Sequence, residues 1–495
     1  MAEAAAQGPG KRGLGLGAKL IALAAAALVL GLLLSLPLPE SIRVVRGVAL
    51  DEKGHRALAV LAAALVLWIT EALPFHVTGL AAMLALAFVG GGDFRTIVKT
   101  GFGDDIVVFF IGVLALAASI VRSGLGRRIS LFVLSLTGNS TRAVIFGFLA
   151  AGALISMWVT ALAASAMLMP LALGVLKEEG AEPGKSRFGA GLMLAVAYGA
   201  LVGAVGTPAG SGSNPVVVKF LSQLAGYEIS FTGWMALGIP VALILAPMAW
   251  LVIIMLFPPE SKRLKKTKEE LTATFRAQVP MSRDERAVLV VFALTVLIWV
   301  VSPFLEGQIH MKLPISMAAL GALVLLFVPG VTTFKWKEIE REMDWSGIIL
   351  IAAGIGLGTT LYDSGAAAWL AAIVFGGIGA FPLFWRLALV TLGVLVVKVA
   401  LSSNTLTGTI IVPLILALAP SLGVTTPGLA LAAGFAANLA VILVTTSPVN
   451  IVPYSTGYFT IADMAKAGLV FAPFAALVIA LVFRFLGPLL GVFPL

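Results

Sequence analysis

Cysteine is absent from this chain, and charge is scarce. Without a thiol, disulfides, thiolate-bound metals and cysteine nucleophiles are excluded. The three histidines, His55, His76 and His310, lie far apart and form no HxxxH pair, so nothing suggests a histidine-built metal site. Only 12% of the 495 residues are charged, about half the share usual in soluble domains. His, Asp and Glu do not gather at the close spacing that a membrane enzyme needs. The expectation is a protein that is not an enzyme and carries no cofactor.

Apolar residues fill the chain instead, at 60%. Runs such as Leu20–Leu36, Ala57–Ile69, Ile106–Val121, Met235–Phe257 and Val288–Val301 reach or approach the length of a bilayer crossing. The first is followed by others to the end, so it reads as a retained helix behind a basic tail and not as a signal peptide. The net charge of +9 points to a membrane surface, not to nucleic acid. Lys262, Arg263, Lys265, Lys266, Lys268, Arg276, Arg283 and Arg286 share one loop, the pattern of the positive-inside rule. That places the loop and the N-terminus in the cytoplasm and the protein in the plasma (inner) membrane. Arg127/Arg128/Arg142, Lys177/Lys185/Arg187 and Lys335/Lys337/Arg341 fall on the same side if two apolar segments, about Ala143–Leu176 and Leu383–Ala419, are re-entrant hairpins. The loop with Arg43, Arg46, Lys53 and Arg56 then falls on the opposite side.

The chain also repeats itself. "DDIVVFFIGVLALAASIVRSG" from Asp104 resembles "DWSGIILIAAGIGLGTTLYDSG" from Asp344, with Arg122 and Asp363 offset by 241. "TALAASAMLMP" parallels "SNTLTGTIIVP" at 243, from Thr160 to Ser403. "GSGSN" parallels "TSPVN" at 236, from Asn214 to Asn450. If each repeat crosses the membrane an odd number of times, the halves are inverted, a common build of secondary transporters whose sites lie where the halves meet.

Polar interruptions recur in register with this repeat. Gly206, Pro208, Gly210 and Gly212 break Phe188–Phe220, and Pro448 and Pro453 break Gly428–Phe459. Proline frees a carbonyl, glycine permits sharp bends, and a broken membrane helix offers N-termini to anions and carbonyls to cations. Ser211, Ser213 and Asn214 surround one break, Thr445, Thr446, Ser447 and Asn450 the other, and "SSNT" at residues 402–405 forms a hairpin tip. Each motif alone fits interhelical hydrogen bonding. Together their neutral donors suit a carboxylate, and their oxygens suit Na⁺. Intramembrane ionisable residues are candidates too. Glu71 caps the turn before Pro74 or relays protons, Lys219 attracts an anion or snorkels, and Lys398 supplies positive charge beside the tip or faces outward. His76 reads as an interfacial or packing residue and not as a proton carrier.

These motifs carry a family resemblance. "WITEALPFHVTGL", "SMWVTALAASAMLMP", "GTPAGSGSN", "SSNT", "TTSPVN" and "YEISFTGWMALGIPVALILAPMAWLVIIMLFPP" are similar to elements of the divalent anion/sodium symporters, the di- and tricarboxylate and sulfate carriers, over roughly residues 50 to 490. The resemblance implies an all-α polytopic membrane protein with two inverted repeats, two re-entrant helical hairpins and two interrupted transmembrane helices. It implies substrate contacts at Thr160, Ser211, Ser213, Asn214, Ser403, Asn404, Thr405, Ser447, Pro448 and Asn450. One Na⁺ site would use Val399, Ser402, Asn404 and Thr446, and a degenerate one Ser156, Thr160 and Gly210. This chain departs from the family at the first tip, where Ala161 and Leu162 stand for Asn and Thr. That loses a carboxamide and a hydroxyl.

By resemblance the protein is a homodimeric elevator for small organic dianions, C4-dicarboxylates or related oxo-acids, coupled to Na⁺. A Na⁺-independent exchanger, or a carrier of citrate, sulfate or another oxyanion, is the alternative. The expected divisions are a basic tail (1–18), scaffold (19–140), transport domain (141–258), basic loop (259–286), scaffold (287–380) and transport domain (381–495).

Overall fold

A computed structural model describes residues 15–36, 39–265, 279–309, 313–419 and 426–493. Most of the expected tail and residues 266–278 of the basic loop lie outside the described residues. The longer helices, in chain order, are α1 (Leu16–Ser35), α2 (Glu52–Thr70), α3 (Phe75–Phe88), α4 (Phe94–Phe102), α5 (Asp105–Ser123), α6 (Leu125–Ser135) and α7 (Thr141–Ser156). They continue as α8 (Ala161–Glu179), α9 (Arg187–Gly203), α10 (Ser213–Ala225), α11 (Phe231–Leu256), α12 (Arg283–Ile309), α13 (Ile315–Leu326) and α14 (Trp345–Asp363). The last are α15 (Ala366–Phe375), α16 (Leu383–Val397), α17 (Asn404–Leu418), α18 (Thr426–Asn438), α19 (Pro448–Tyr454) and α20 (Ile461–Leu481). Strand structure among the described residues is one short ribbon, Val44–Val45 antiparallel to Val48–Ala49. Nine helical stretches among the described residues are long and apolar enough to cross a bilayer. The fold is an all-α, multi-pass membrane protein.

The two expected hairpins are present. α7 and α8 are joined by residues 157–160, and α16 and α17 by residues 398–403. Thr160 and Ser403 are the N-caps of the outgoing helices, and Ser403 Oγ accepts from the Leu406 amide at 3.3 Å. Both interrupted helices are present as well, α9/α10 and α18/α19. The second break differs from the sequence expectation. It occupies residues 439–447, ahead of both prolines: Pro448 is the first residue of α19, where its missing N–H costs no helical bond, and Pro453 sits inside that helix.

Small residues bring the broken helix α9 against hairpin helix α7. A Cβ on Gly199 or Gly203 would overlap the carbonyls of Leu149 and Ala153. Without a water-driven hydrophobic force inside a bilayer, such backbone-to-backbone packing is what joins helices. Aromatic contacts fasten the outer layers: Phe231 stacks on Trp299 with centroids 4.4 Å apart, joining α11 to α12.

Candidate functional site

The site is built around two helix breaks whose free carbonyls must be satisfied inside the membrane. Asn214 Nδ2 donates to the Ala204 and Thr207 carbonyls at 2.8 and 2.7 Å. At the same offset of 236, Asn450 Nδ2 donates to those of Ala440 and Leu443 at 2.6 and 3.2 Å. The Asn214 amide reaches the Ser211 carbonyl at 3.1 Å, and the Asn450 amide reaches that of Ser447 at 3.1 Å. Ser211 Oγ and Ser447 Oγ each accept, at 3.4 Å, from the amide two residues on. The same set of bonds thus recurs at both breaks. Asn214 and Asn450 are fully buried, and their amide groups are committed to the breaks. They shape the site from behind.

Other carbonyls of the breaks are met from neighbouring helices. Trp234 Nε1 donates to Val205 at 2.9 Å, and Tyr198 Oη to Val441 at 2.8 Å. The second of these ties the first broken helix to the second break.

Each hairpin also reaches across to the other half. Ser165 Oγ on α8 donates to the Val449 carbonyl in α19 at 3.0 Å. The matching position on α17, Gly408, lies so close to α10 that a Cβ there would sit 2.5 Å from Ser213 Oγ. One turn earlier a Cβ on Gly212 would meet Thr405 Oγ1 at 2.6 Å. The second tip is therefore seated on the first break, Thr405 against Gly212 and Gly408 against Ser213. The N-termini of α10 and α17 come together there, two positive helix ends with hydroxyls between them, a surrounding that favours an anion. Phe110 and Ile351 close the side of this junction, 3.2 and 3.7 Å from the same Gly212 Cβ position.

Asn438 is a residue that the sequence reading missed. It is fully buried at the end of α18. Its Nδ2 donates to Asn214 Oδ1 at 2.6 Å, and its carbonyl accepts from Asn404 Nδ2 at 3.4 Å. Asn438 thus links the tip to the first break, through its main-chain carbonyl on one side and its carboxamide on the other. Asn404 Oδ1, Ser213 Oγ and Asn438 Oδ1, on the residues that meet here, are buried without a protein partner, as is Asn450 Oδ1 at the second break. The signal available was the polar residue closing "AAGFAAN", just before the second break.

The other expected residues divide. Ser402, Ser403, Asn404, Thr405 and Thr160 are half-buried, within reach of a ligand, whereas Ser156, Ser211, Thr446 and Ser447 are buried and Pro448 is exposed. In the first half the Ser156 and Ala204 carbonyls crowd Gly210, 2.8 and 2.5 Å from its Cβ position. That cluster of oxygens suits a hard cation. In the second half the cluster is different. The Thr446 carbonyl, which the resemblance assigns to a Na⁺ site with Val399, Ser402 and Asn404, accepts from Lys398 Nζ at 3.3 Å.

Lys219 neither snorkels nor stands free beside the site: it pairs with Asp104, whose Oδ1 also caps α5 at the Ile106 amide, 3.0 Å away. Glu71 ends α2 in the left-handed conformation, φ 51°. Among the described residues no group of His, Asp or Glu could hold a metal ion.

Comparison with known proteins fits this architecture. The family described as the sodium:sulfate symporter transmembrane region matches residues 17–493. An uncharacterized transporter of Haemophilus influenzae is 30% identical over 441 residues, 87% of this chain and 91% of its own. The sodium-dependent dicarboxylate transporter SdcS of Staphylococcus saprophyticus is 30% identical over 460 residues, 90% of this chain and 88% of its own. Among solved structures, the YdaH transporter of Alcanivorax borkumensis shares the fold at TM-score 0.50 and 16% identity, covering 96% of this chain and 98% of that one. MtrF of Neisseria gonorrhoeae does so at 0.50 and 10%, covering 93% and 94%.

Proposed function

Because the chain belongs to the family of the sodium:sulfate symporter transmembrane region, a family of transporters and not of enzymes, we propose that it carries small organic dianions, C4-dicarboxylates foremost, across the plasma (inner) membrane. The observation that carries this reading is the seating of the tip Ser403–Thr405 on the break Ser211–Ser213, with Thr405 Oγ1 against Gly212. One carboxylate of the cargo lies between Asn404, Thr405 and Ser213, at the paired N-termini of α10 and α17. Thr160 and the exposed edge of α19 receive the other. The name of SdcS, a sodium-dependent dicarboxylate transporter, supports the choice of cargo.

The mechanism follows from electrostatics. A bare dianion is too costly to move through a low-dielectric layer, so tips, helix ends and a cation must share its charge. We place Na⁺ against Ser156, Thr160 and Gly210. The halves run inverted, with re-entrant hairpins. The hairpins, the broken helices and the closing helices α11 and α20 move as one body against a dimeric scaffold. The test is a thermal-stability screen of the purified protein against di- and tricarboxylates, oxo-acids and sulfate, each in Na⁺ and in K⁺. Stabilisation by C4-dicarboxylates supports the reading, and stabilisation by sulfate or citrate alone replaces the cargo.

A further inference from the structure

Lys398 closes helix α16 at the second hairpin and is 1% exposed. It makes no ion pair among the described residues. Its Nζ reaches two neutral acceptors, the Thr446 carbonyl at 3.3 Å and Thr407 Oγ1 at 3.4 Å. A buried charge without its counter-charge is costly, and a hydroxyl with a carbonyl does not replace an anion. The missing counter-charge has an evident source. Thr407 Oγ1 donates in turn to the Ser403 carbonyl at 2.8 Å, and Ser403 opens the tip helix α17. The ammonium stands one hydroxyl behind the residues assigned to the dianion.

The two acceptors are also what a sodium ion would use: a carbonyl oxygen of a helix break and a hydroxyl of a hairpin. The repeat makes the substitution visible. At the offset of 243 the first half has Ile155 where the second has Lys398, and at 236 it has Gly210 where the second has Thr446. The first half keeps the oxygen cluster and offers it no lysine. The second half brings its own cation.

We propose that Lys398 is a tethered cation at the second-half ion position, doing there what a bound Na⁺ would do, so that this half receives the dianion without a sodium ion of its own. The inference rests on the dianion-carrier reading above. Its consequence concerns the return step. A sodium ion leaves with the cargo, but a lysine stays. The loaded carrier crosses with its ammonium neutralised, whereas the empty one must take a bare charge into a low-dielectric layer. Exchange of one dianion for another is then fast and net uptake slow.

The test is counterflow of radiolabelled succinate in proteoliposomes, in NaCl and in choline chloride, for the native protein, Lys398→Ala and Lys398→Met. Native exchange rises with Na⁺ with a Hill slope of 1 or less. Both variants lose about tenfold in apparent succinate affinity in choline, a coupling of ordinary size. Na⁺ restores Lys398→Ala, whose shortened side chain opens the position, and does not restore Lys398→Met, whose neutral chain fills it. Native-like affinity in Lys398→Met in choline, or absence of Na⁺ rescue in Lys398→Ala, overturns the proposal. If both variants fail to fold, the native slope decides: a value near 2 means a sodium ion in each half and overturns it. Native protein that exchanges no dianion in either salt removes the carrier reading itself, and the inference with it.

Discussion

The two halves of the molecule share their bracing and differ in what they present to a ligand. Asn214 and Asn450 hold matching pairs of carbonyls, and Ser165 and Gly408 make matching contacts with the opposite break. Around this common frame, Ile155, Ala161, Leu162 and Val202 in the first half stand opposite Lys398, Asn404, Thr405 and Asn438 in the second. All four differences remove polarity from the same half. The frame is constrained because an unmet carbonyl in a membrane is expensive wherever it occurs. The ligand-facing side chains are constrained only by the ligand. At these four positions the second half carries polar side chains and the first carries apolar ones.

The most damaging way to break the comparison is Asn404→Ala, which gives the second tip the residue that the first already has. Succinate uptake falls by about 100-fold or more, at the strong end for a hydrogen bond to a charged group, while expression and melting temperature hold. Wild-type uptake in this variant would make the tip a packing element. Next come Asn214→Ala and Asn450→Ala. Each strips two carbonyls of a partner, and at about 1–3 kcal/mol for each unmet group both lower the melting temperature by several degrees. Asn214→Ala is the worse of the two, because Asn438 Nδ2 also loses one of its two acceptors and keeps only the Gly434 carbonyl. Equal and negligible shifts would show that water takes the place of both carboxamides.

A smaller effect sharpens the comparison at the packing level. Gly203→Val places a side chain between α9 and the end of α7, where its Cβ would meet Ala153 and Ser156. Overpacking of this kind costs about 1–3 kcal/mol, read as a lower melting temperature in detergent. The matching position of the second half is Leu439, already a large buried residue, so Leu439→Val is milder. The reverse order would mean that the close approach of α7 and α9 is not shared tightly enough to matter.

Much of this architecture was legible in the sequence because polar and helix-breaking residues are costly in an apolar run and stand out against it. "SSNT" and "GTPAGSGSN" announced a tip and a break, and the offsets paired them. The second break was misplaced for a physical reason. Residues 439–444 read "LAVILV", a pattern that a helix would accept; Asn450 and Thr446 Oγ1 take up their carbonyls from just downstream, and Tyr198 takes that of Val441 from the other half, 243 positions away. Contacts between residues far apart in sequence leave no local mark. The same applies to Asn438, which bonds a residue 224 positions away, and to the pairing of Lys219 with Asp104. Lys398 was visible as a charge near the tip, but the direction of its side chain was not.

The account stands on a dianion resting against the tip at residues 402–405, and the absence of cysteine makes that directly measurable. In the single-cysteine variant Ser402→Cys, labelling by a membrane-permeant maleimide reports access to the half-buried tip. Val279→Cys, 77% exposed, serves as the control. Succinate at about ten times its dissociation constant should slow labelling of the tip by about tenfold and leave the control unchanged. Equal labelling of Ser402→Cys with and without succinate, in protein whose melting temperature succinate still raises, would place the cargo elsewhere and contradict the account.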